Sequence, residues 1–319
     1  MNGHVLLFMV ASPAVAAALL LAVPSRMRQL VRWVSLAGAA GGLVGAVVAA
    51  LAWDRGLGGF QLAERYLLVP SMGISFSLAA DGWSITLVLL TGIIIVTGVL
   101  ASWTVERRDK EFFVLLLTLV TGVFGVFVSQ DLFIFFLFYE IAVLPMYLLI
   151  GIWGSSHRVP PAGPFRGAWR RFAVGSREYA AMKLTLMLLV GSAAILVAIF
   201  GLWSHAGART FDLGQLAAVQ FPRSTQMWVF PLLWLGFGTL AGVFPFHTWS
   251  PDGHASAPTA VSMLHAGVLM KLGAFGVMRV GMVLAPEAAV TWAPIVGAMA
   301  GMAWANPPIF ARSRVWARS

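Results

Sequence analysis

The sequence has no cysteine, and only 10% of its 319 residues are charged, against about 25% in a typical soluble domain. Without cysteine there is no disulfide framework, no thiolate ligand for an iron–sulfur cluster and no c-type haem attachment. With so little charge the chain cannot cover a soluble core with polar surface, which excludes a soluble enzyme. The GxGxxG turn, the P-loop and HExxH are also missing, so no nucleotide or zinc site is indicated. What the sequence does have is apolar residues, 60% of the total, and a mean hydropathy of +0.87. They fall in charge-free blocks of roughly 20, the length of a helix that crosses about 30 Å of hydrocarbon.

Nine such blocks are predicted as transmembrane helices: 4–23, 31–53, 82–104, 111–128, 132–153, 180–203, 226–247, 259–284 and 287–305. The first has no basic residues before it and reads as a first span, not a cleaved signal peptide. Trp33, Trp53, Trp83, Trp103, Trp153, Trp203 and Trp304 lie near block ends, where aromatic side chains gather at the headgroup level. A membrane barrel would need alternating segments of about ten residues, and the blocks do not alternate. The expected fold class is therefore an all-α integral membrane protein. The net charge of +9 sits in the connections, where it orients spans and meets anionic lipid; it does not point to nucleic acid. Fourteen Lys and Arg fall in the first, third and fifth connections and the tail, and five on the opposite side. The excess places the N-terminus outside and the C-terminus in the cytoplasm. Residues 54–81 are expected to form an external loop, 154–178 a basic cytoplasmic one, and 204–225 to carry a short surface helix.

The informative residues are ionisable groups inside spans, which cost several kcal/mol in lipid and are functional candidates by default. Glu140 lies near the middle of the fifth span, in FFLFYEIAVLPMYLL, and Lys271 near the middle of the eighth. A carboxylate and an ammonium at one depth form either a proton-carrying pair or relay, or an ion pair that only fixes helix packing. Lys183, four residues into the sixth span, either snorkels to the headgroups or points inward to Glu140. Asp131 reads as the N-cap of the fifth span. Pro245 should break the seventh span, in GVFPFHTWSPDGHASAPTAV, and broken helices line the ion sites of many transporters. His247 and His254 flank that break and His265 precedes Lys271. Each is either a proton relay or a hydrogen-bonded buried side chain. Two histidines without further ligands do not make a zinc site.

The stretches FFLFYEIAVLPMYLLIGIWG and FPFHTWSPDGHASAPTAVSMLHAGVLMKLGAFGVMR resemble the antiporter-like membrane subunits, of the subunit M type, of proton-pumping NADH:quinone oxidoreductase (respiratory complex I). Multi-subunit Na⁺/H⁺ antiporters and membrane-bound hydrogenases have related subunits. The resemblance runs from about residue 60 to 300. It implies proton translocation coupled to quinone reduction, by a subunit with no redox site of its own. Glu140 and Lys271 match proton-path positions, with Lys183, His247 and His265 as further candidates. NADH, FMN, iron–sulfur clusters and quinone are implied on partner subunits, and other complex I membrane subunits and lipid as partners. The location implied is the bacterial inner membrane. The expected layout is N-terminal helices over 1–110, one half-channel over 111–285, and a ninth helix with a basic tail over 286–319. The family's lysine five residues before the proline of P-x-H is Leu240 here, and 224–246 has no ionisable side chain. The family has about fourteen spans, and the tail NPPIFARSRVWARS is unlike its continuation, which reads as a truncation. A Na⁺/H⁺ antiporter or hydrogenase subunit, or a non-conducting structural remnant, are the alternative expectations.

Overall fold

The computed structural model describes residues 4–156, 175–207 and 209–305. Arg158, Arg166, Arg170 and Arg171 of the basic connection, and Arg312, Arg314 and Arg318 of the tail, lie outside them. The charge-free blocks fold as helices because a helix satisfies its own backbone polar groups where there is no water. Helices α1 (Val5–Ala22), α2 (Arg28–Ala52), α3 (Gly82–Ala101), α4 (Asp109–Val128), α5 (Leu132–Trp153) and α6 (Arg177–His205) lead to the short α7 (Leu213–Ala218). Then come α8 (Arg223–Ala241), α9 (Trp249–Ser256), α10 (Thr259–Leu264), α11 (Met270–Gly276) and α12 (Pro286–Ala305). His265–Leu269 and Val277–Met282, on either side of α11, wind as π-helix.

Eight segments among the described residues are long and apolar enough to cross a membrane: α1 to α6, Arg223–Ser256 and Thr259–Met282. They match the first eight expected spans to within a few residues, apart from the seventh, whose segment runs on through α9. The ninth expected span is the helix α12, which is not among those eight. The expected external loop is in part a β-hairpin, β1 (Gln61–Val69) against β2 (Ile74–Ala80), antiparallel. Its turn, Pro70-Ser71-Met72-Gly73, ends on Gly73 at φ 71°, a left-handed conformation that glycine adopts without strain. The fold is thus helical with one small sheet added.

Connections alternate between two ends of the bundle. At the basic end, Lys110 Nζ donates to the carbonyls of Leu21 and Val23, both at 2.8 Å, and Trp153 Nε1 to that of Arg107 at 2.6 Å. The Arg177 guanidinium donates to the Ile152 carbonyl. The first, third and fifth connections therefore share one end, as the charge count expects. At the other end the hairpin meets the α4–α5 turn. Asp131 caps α5 by accepting from the amides of Phe133 (3.0 Å) and Ile134 (3.2 Å), and takes the Ser75 amide of β2 at 2.8 Å. Burial pushes its carboxyl above the usual range, against the pull of the Ser75, Ile134 and Phe133 amides.

α4 is the most enclosed helix, and Leu116, Leu117, Val120, Val123, Phe124 and Phe127 are fully buried. It meets α5 closely at Gly122 and Gly125, where a Cβ would overlap the Phe138 carbonyl and the Phe138 ring. The eighth segment is pinned at its far end by Arg279. Its guanidinium donates to Asp81 (2.8 Å) and Ser84 (3.0 Å) and lies over the rings of Phe60 and Phe275 at 4.6 and 5.0 Å.

Burial raises the Asp81 carboxyl, but the Ser84 amide and the Arg279 guanidinium outweigh it and hold the group below its ordinary 3.8. A lowered acid stabilises the fold above its unfolded value, and that contribution fades as pH falls through the lower, folded value. Arg279→Met is therefore expected to cost about 1–3 kcal/mol at pH 7 and clearly less near pH 3. Thermal unfolding in detergent at both pH values measures it; an equal loss at the two would refute the Asp81 link.

Candidate functional site

Helix α5 carries Glu140 at mid-length, started by the Asp131 cap and carrying Pro145 inside it. Proline has no N–H to give the Ile141 carbonyl one turn back, so a polar backbone atom is left beside Glu140. The Glu140 side chain is partly buried, and its Oε1 has no hydrogen-bond partner. Ser192 of α6 faces both Glu140 and Tyr139, while its hydroxyl donates to the Leu188 carbonyl at 3.0 Å. Tyr139 is fully buried beside Phe136 and Phe237, and its hydroxyl is also unpartnered. Just beyond, α6 and α8 approach backbone to backbone: a Cβ on Gly191 would lie 3.1 Å from the Gly236 carbonyl oxygen.

The seventh span breaks, but before Pro245. α8 stops at Ala241 with Gly242 left-handed at φ 73°, and a 3₁₀ turn over Phe246–Thr248 leads into α9. A residue ahead of proline is pushed out of helical geometry and glycine takes the left-handed cap, so the helix ends upstream of the proline. Trp249 is fully buried and its Nε1 donates to the Thr239 carbonyl at 2.9 Å. It thereby satisfies a carbonyl in the last turn of the interrupted helix. His247 stacks loosely on Phe244, with Nδ1 buried and unpartnered.

The lysines do not go where the sequence alone would send them. Lys183 bonds Asp252 of α9 at 2.7 Å, which settles the choice between headgroups and Glu140 in favour of neither. Lys271 is exposed, and its ammonium donates to the Ala266 carbonyl in the π-helical segment at 2.6 Å. Among the described residues no ion pair contains Glu140 or Lys271. Of the alternatives for Glu140 and Lys271, a direct ion pair is not formed among the described residues: Lys271 is held by its own helix and Glu140 faces α6. His265 is buried with both ring nitrogens unpartnered, between Trp249 (5.0 Å) and His254 (4.0 Å). Leu240, where the family pattern has lysine, lines a small cavity together with His265, Val143 and Leu188. Asp252 was not singled out in the sequence. Its spacing, two residues before His254 on an eight-residue helix, was the one available signal.

The model of the family described as "NADH:quinone oxidoreductase/Mrp antiporter, TM" matches residues 168–305. NAD(P)H-quinone oxidoreductase chain 4 3 of Picosynechococcus sp. is 39% identical over 295 residues, covering 90% of this chain and 49% of that one. Residues 168–305 belong to the NADH:quinone oxidoreductase/Mrp antiporter membrane family. Chain 4-2 of Synechocystis sp. is 36% identical, covering 90% of this chain and 48% of its own length. Respiratory complex I of Thermus thermophilus with bound NADH contains a chain that superposes with a TM-score of 0.72 at 26% identity, over 92% of this chain and 56% of that one. The archaeal membrane-bound sulfane sulfur reductase shares the fold, with a TM-score of 0.67 at 21% identity over 89% and 42%. The chain spans about half the length of the curated relatives it matches. As in that family, it is an antiporter-like integral membrane protein with a broken seventh span.

The Lys183–Asp252 bond ties the segment after the break to α6. Both groups are partly exposed, so the pair is worth about 0.2–1 kcal/mol. A double-mutant cycle with Lys183→Met and Asp252→Asn, read by thermal unfolding, should show coupling of that size; strictly additive losses would contradict the contact.

Proposed function

We propose that the chain is a proton-translocating, non-redox membrane subunit of NADH:quinone oxidoreductase in the bacterial inner membrane, and that Glu140 carries the proton. One observation supports this reading above the rest. A carboxyl group sits midway along a membrane helix with an oxygen that is buried and unpartnered and, among the described residues, no cation bonded to it. A bare carboxylate in such a place is costly, whereas the protonated group is not. Such a group can exchange a proton when water or a positive charge draws near.

A cation arriving within about 4–6 Å changes a carboxyl group's proton affinity by roughly 1.4–4 kcal/mol. Moving one proton against 100 mV takes about 2.3 kcal/mol. One approaching charge is therefore enough to drive one release. In this reading Lys271, on the segment wound as π-helix on both sides, leaves the Ala266 carbonyl and supplies the charge that draws near. Lys183 takes part by trading Asp252, while His247 and His265 pass protons along. Redox energy comes from partner subunits holding NADH, FMN, iron–sulfur clusters and quinone, and other complex I membrane subunits flank this one.

A second reading, a non-conducting structural subunit, rests on Leu240 and on the absence of any ionisable side chain over 224–246. The two readings part on Glu140→Gln in membrane vesicles carrying the assembled complex. We expect NADH-driven acidification, followed by quenching of an acridine dye, to fall at least tenfold while the complex assembles normally. Undiminished acidification would reject Glu140 as the carrier and favour the structural role.

A further inference from the structure

The role given to Glu140 makes no use of the outer face of α1 and α2. There the two helices leave a groove of about 400 Å³, walled by Ser12, Val15, Ala16 and Leu19 of α1 and by Val34 and Ala37 of α2. Small residues let the helices close its floor. The Ser12 hydroxyl donates to the Gly38 carbonyl at 3.0 Å, and a Cβ on Gly38 would overlap that of Ala16. The lips stay open, with Phe8, Val15 and Leu19 exposed by 52, 54 and 56%. From Phe8 to Leu19 the groove follows α1 for eleven residues, about 16 Å. That is close to the depth of one leaflet in a hydrocarbon core of about 30 Å.

The groove leads to the α1–α2 turn at the basic end of the bundle. Leu19 lies seven residues before Arg26, and Val34 six residues after Arg28. Both arginines are exposed, and no ion pair among the described residues contains either guanidinium. No Asp or Glu occurs before Asp54, so neither helix nor the turn offers them an acid. Arg32 is turned elsewhere, to the Val105 carbonyl. Lys110 covers the Leu21 and Val23 carbonyls at the end of α1, which would otherwise repel an anion. Trp33, 59% exposed and edge-on to Trp103 at 5.4 Å, marks the headgroup level beside them.

An apolar slot that ends on two unpaired cations matches an acyl chain with an anionic headgroup. A neighbouring helix, about 10 Å across with its side chains, would bridge the lips and leave the floor empty. It would also have to bring its own acids to the turn. We propose that α1, α2 and their turn form a binding site for one anionic phospholipid of the cytoplasmic leaflet, with an acyl chain in the groove and the phosphate held by Arg26 and Arg28. An acyl chain leaves surroundings as apolar as the groove it enters, so the groove alone does not select a headgroup. Selection falls to the arginines, each of which favours an anionic lipid about fivefold. The site does not rest on the transport reading.

Photo-crosslinking in membrane vesicles carrying the assembled complex tests it. The vesicles receive phosphatidylglycerol or phosphatidylcholine with the same diazirine-bearing acyl chain, and labelled positions on this chain are read by mass spectrometry. Labelling of residues 8–19 and 34–38 is expected to be about fivefold or more stronger with phosphatidylglycerol. Arg26→Gln with Arg28→Gln should bring the two lipids level, whereas Arg26→Lys with Arg28→Lys should keep the preference. Ala37→Phe, at an exposed position on the groove wall, should cut labelling by both lipids about threefold or more. Equal labelling of the native chain by the two lipids would mean ordinary boundary lipid and overturn the site. A preference that survives loss of both arginines would overturn it too. So would an absence of labelling in the complex, which would mean that a protein neighbour covers the groove.

Discussion

A polar group at bilayer depth has no bulk water to turn to, and the bundle is arranged around that constraint. Most of its hydroxyls bond back to their own helix, as Thr91 does to Leu87, Thr121 to Leu117 and Thr239 to Leu235. Where α8 is interrupted, Trp249 returns to the Thr239 carbonyl, and where the eighth segment loosens into π-helix, Lys271 bonds the Ala266 carbonyl. Against this background the exceptions stand out. Tyr139, Glu140, His247 and His265 keep buried polar atoms without partners, and all four lie on or beside α5, α8 and the segment after the break. Arg32, Trp53, Glu64 and Asp109 share that condition at helix ends or in the hairpin, and Trp292 on α12. That cluster of unsatisfied groups inside the helices is the observation on which the proposed transport role rests.

Among the described residues, Glu140 is a mid-span charge without an ion-pair partner. Lys183 is engaged by Asp252, Arg279 by Asp81, and Lys271 by a backbone carbonyl. Lys183 and Lys271 are thus held by single partners, while Arg279 is an anchor and the Glu140 carboxyl group has no cation beside it. An ion pair locked between Glu140 and Lys271 would have been a poorer device, since a buried pair that never separates cannot change the affinity of its acid for a proton. The anchors fit this division. Asp131 fixes the start of α5 through three backbone amides, and Arg279 fixes the far end of the eighth segment on α3. The π-helical stretches on either side of α11 lie between fixed points.

The spans were legible because a charge-free block about 20 residues long has few options, and the bounds of the first eight, the seventh excepted, were recovered to within a few residues. The Asp131 cap and the short helix Leu213–Ala218 were read from local chemistry in the same way. The hairpin was not foreseen. Its strands pair with each other and with the α4–α5 turn, contacts that span dozens of residues, although Pro70 and Gly73 marked the turn. Glu140 announced itself by depth alone. Its surroundings did not, because which lysine meets which acid depends on helix rotation and on where α8 stops. Pro245 indicated a break, yet Gly242 set its position, and that shift carries Trp249 to Thr239 and places Asp252 opposite Lys183. The His254–His265 stack likewise needs α9 and α10 folded against each other.

The central claim is that water reaches Glu140 between protein walls while the neighbouring lipid-facing surface stays dry. The absence of cysteine from the chain makes this directly measurable with one reporter at a time. Val190 of α6, two residues before Ser192 and so on nearly the opposite face of that helix, is 65% exposed, and Val190→Cys is the contrast to Glu140→Cys. Reaction with a small, water-soluble, charged thiosulfonate in sealed liposomes reads which position meets water. The account predicts fast labelling of Glu140→Cys and little of Val190→Cys. Equal, slow labelling of both would mean that the seam is dry, and the carboxyl group could not then exchange protons with either side.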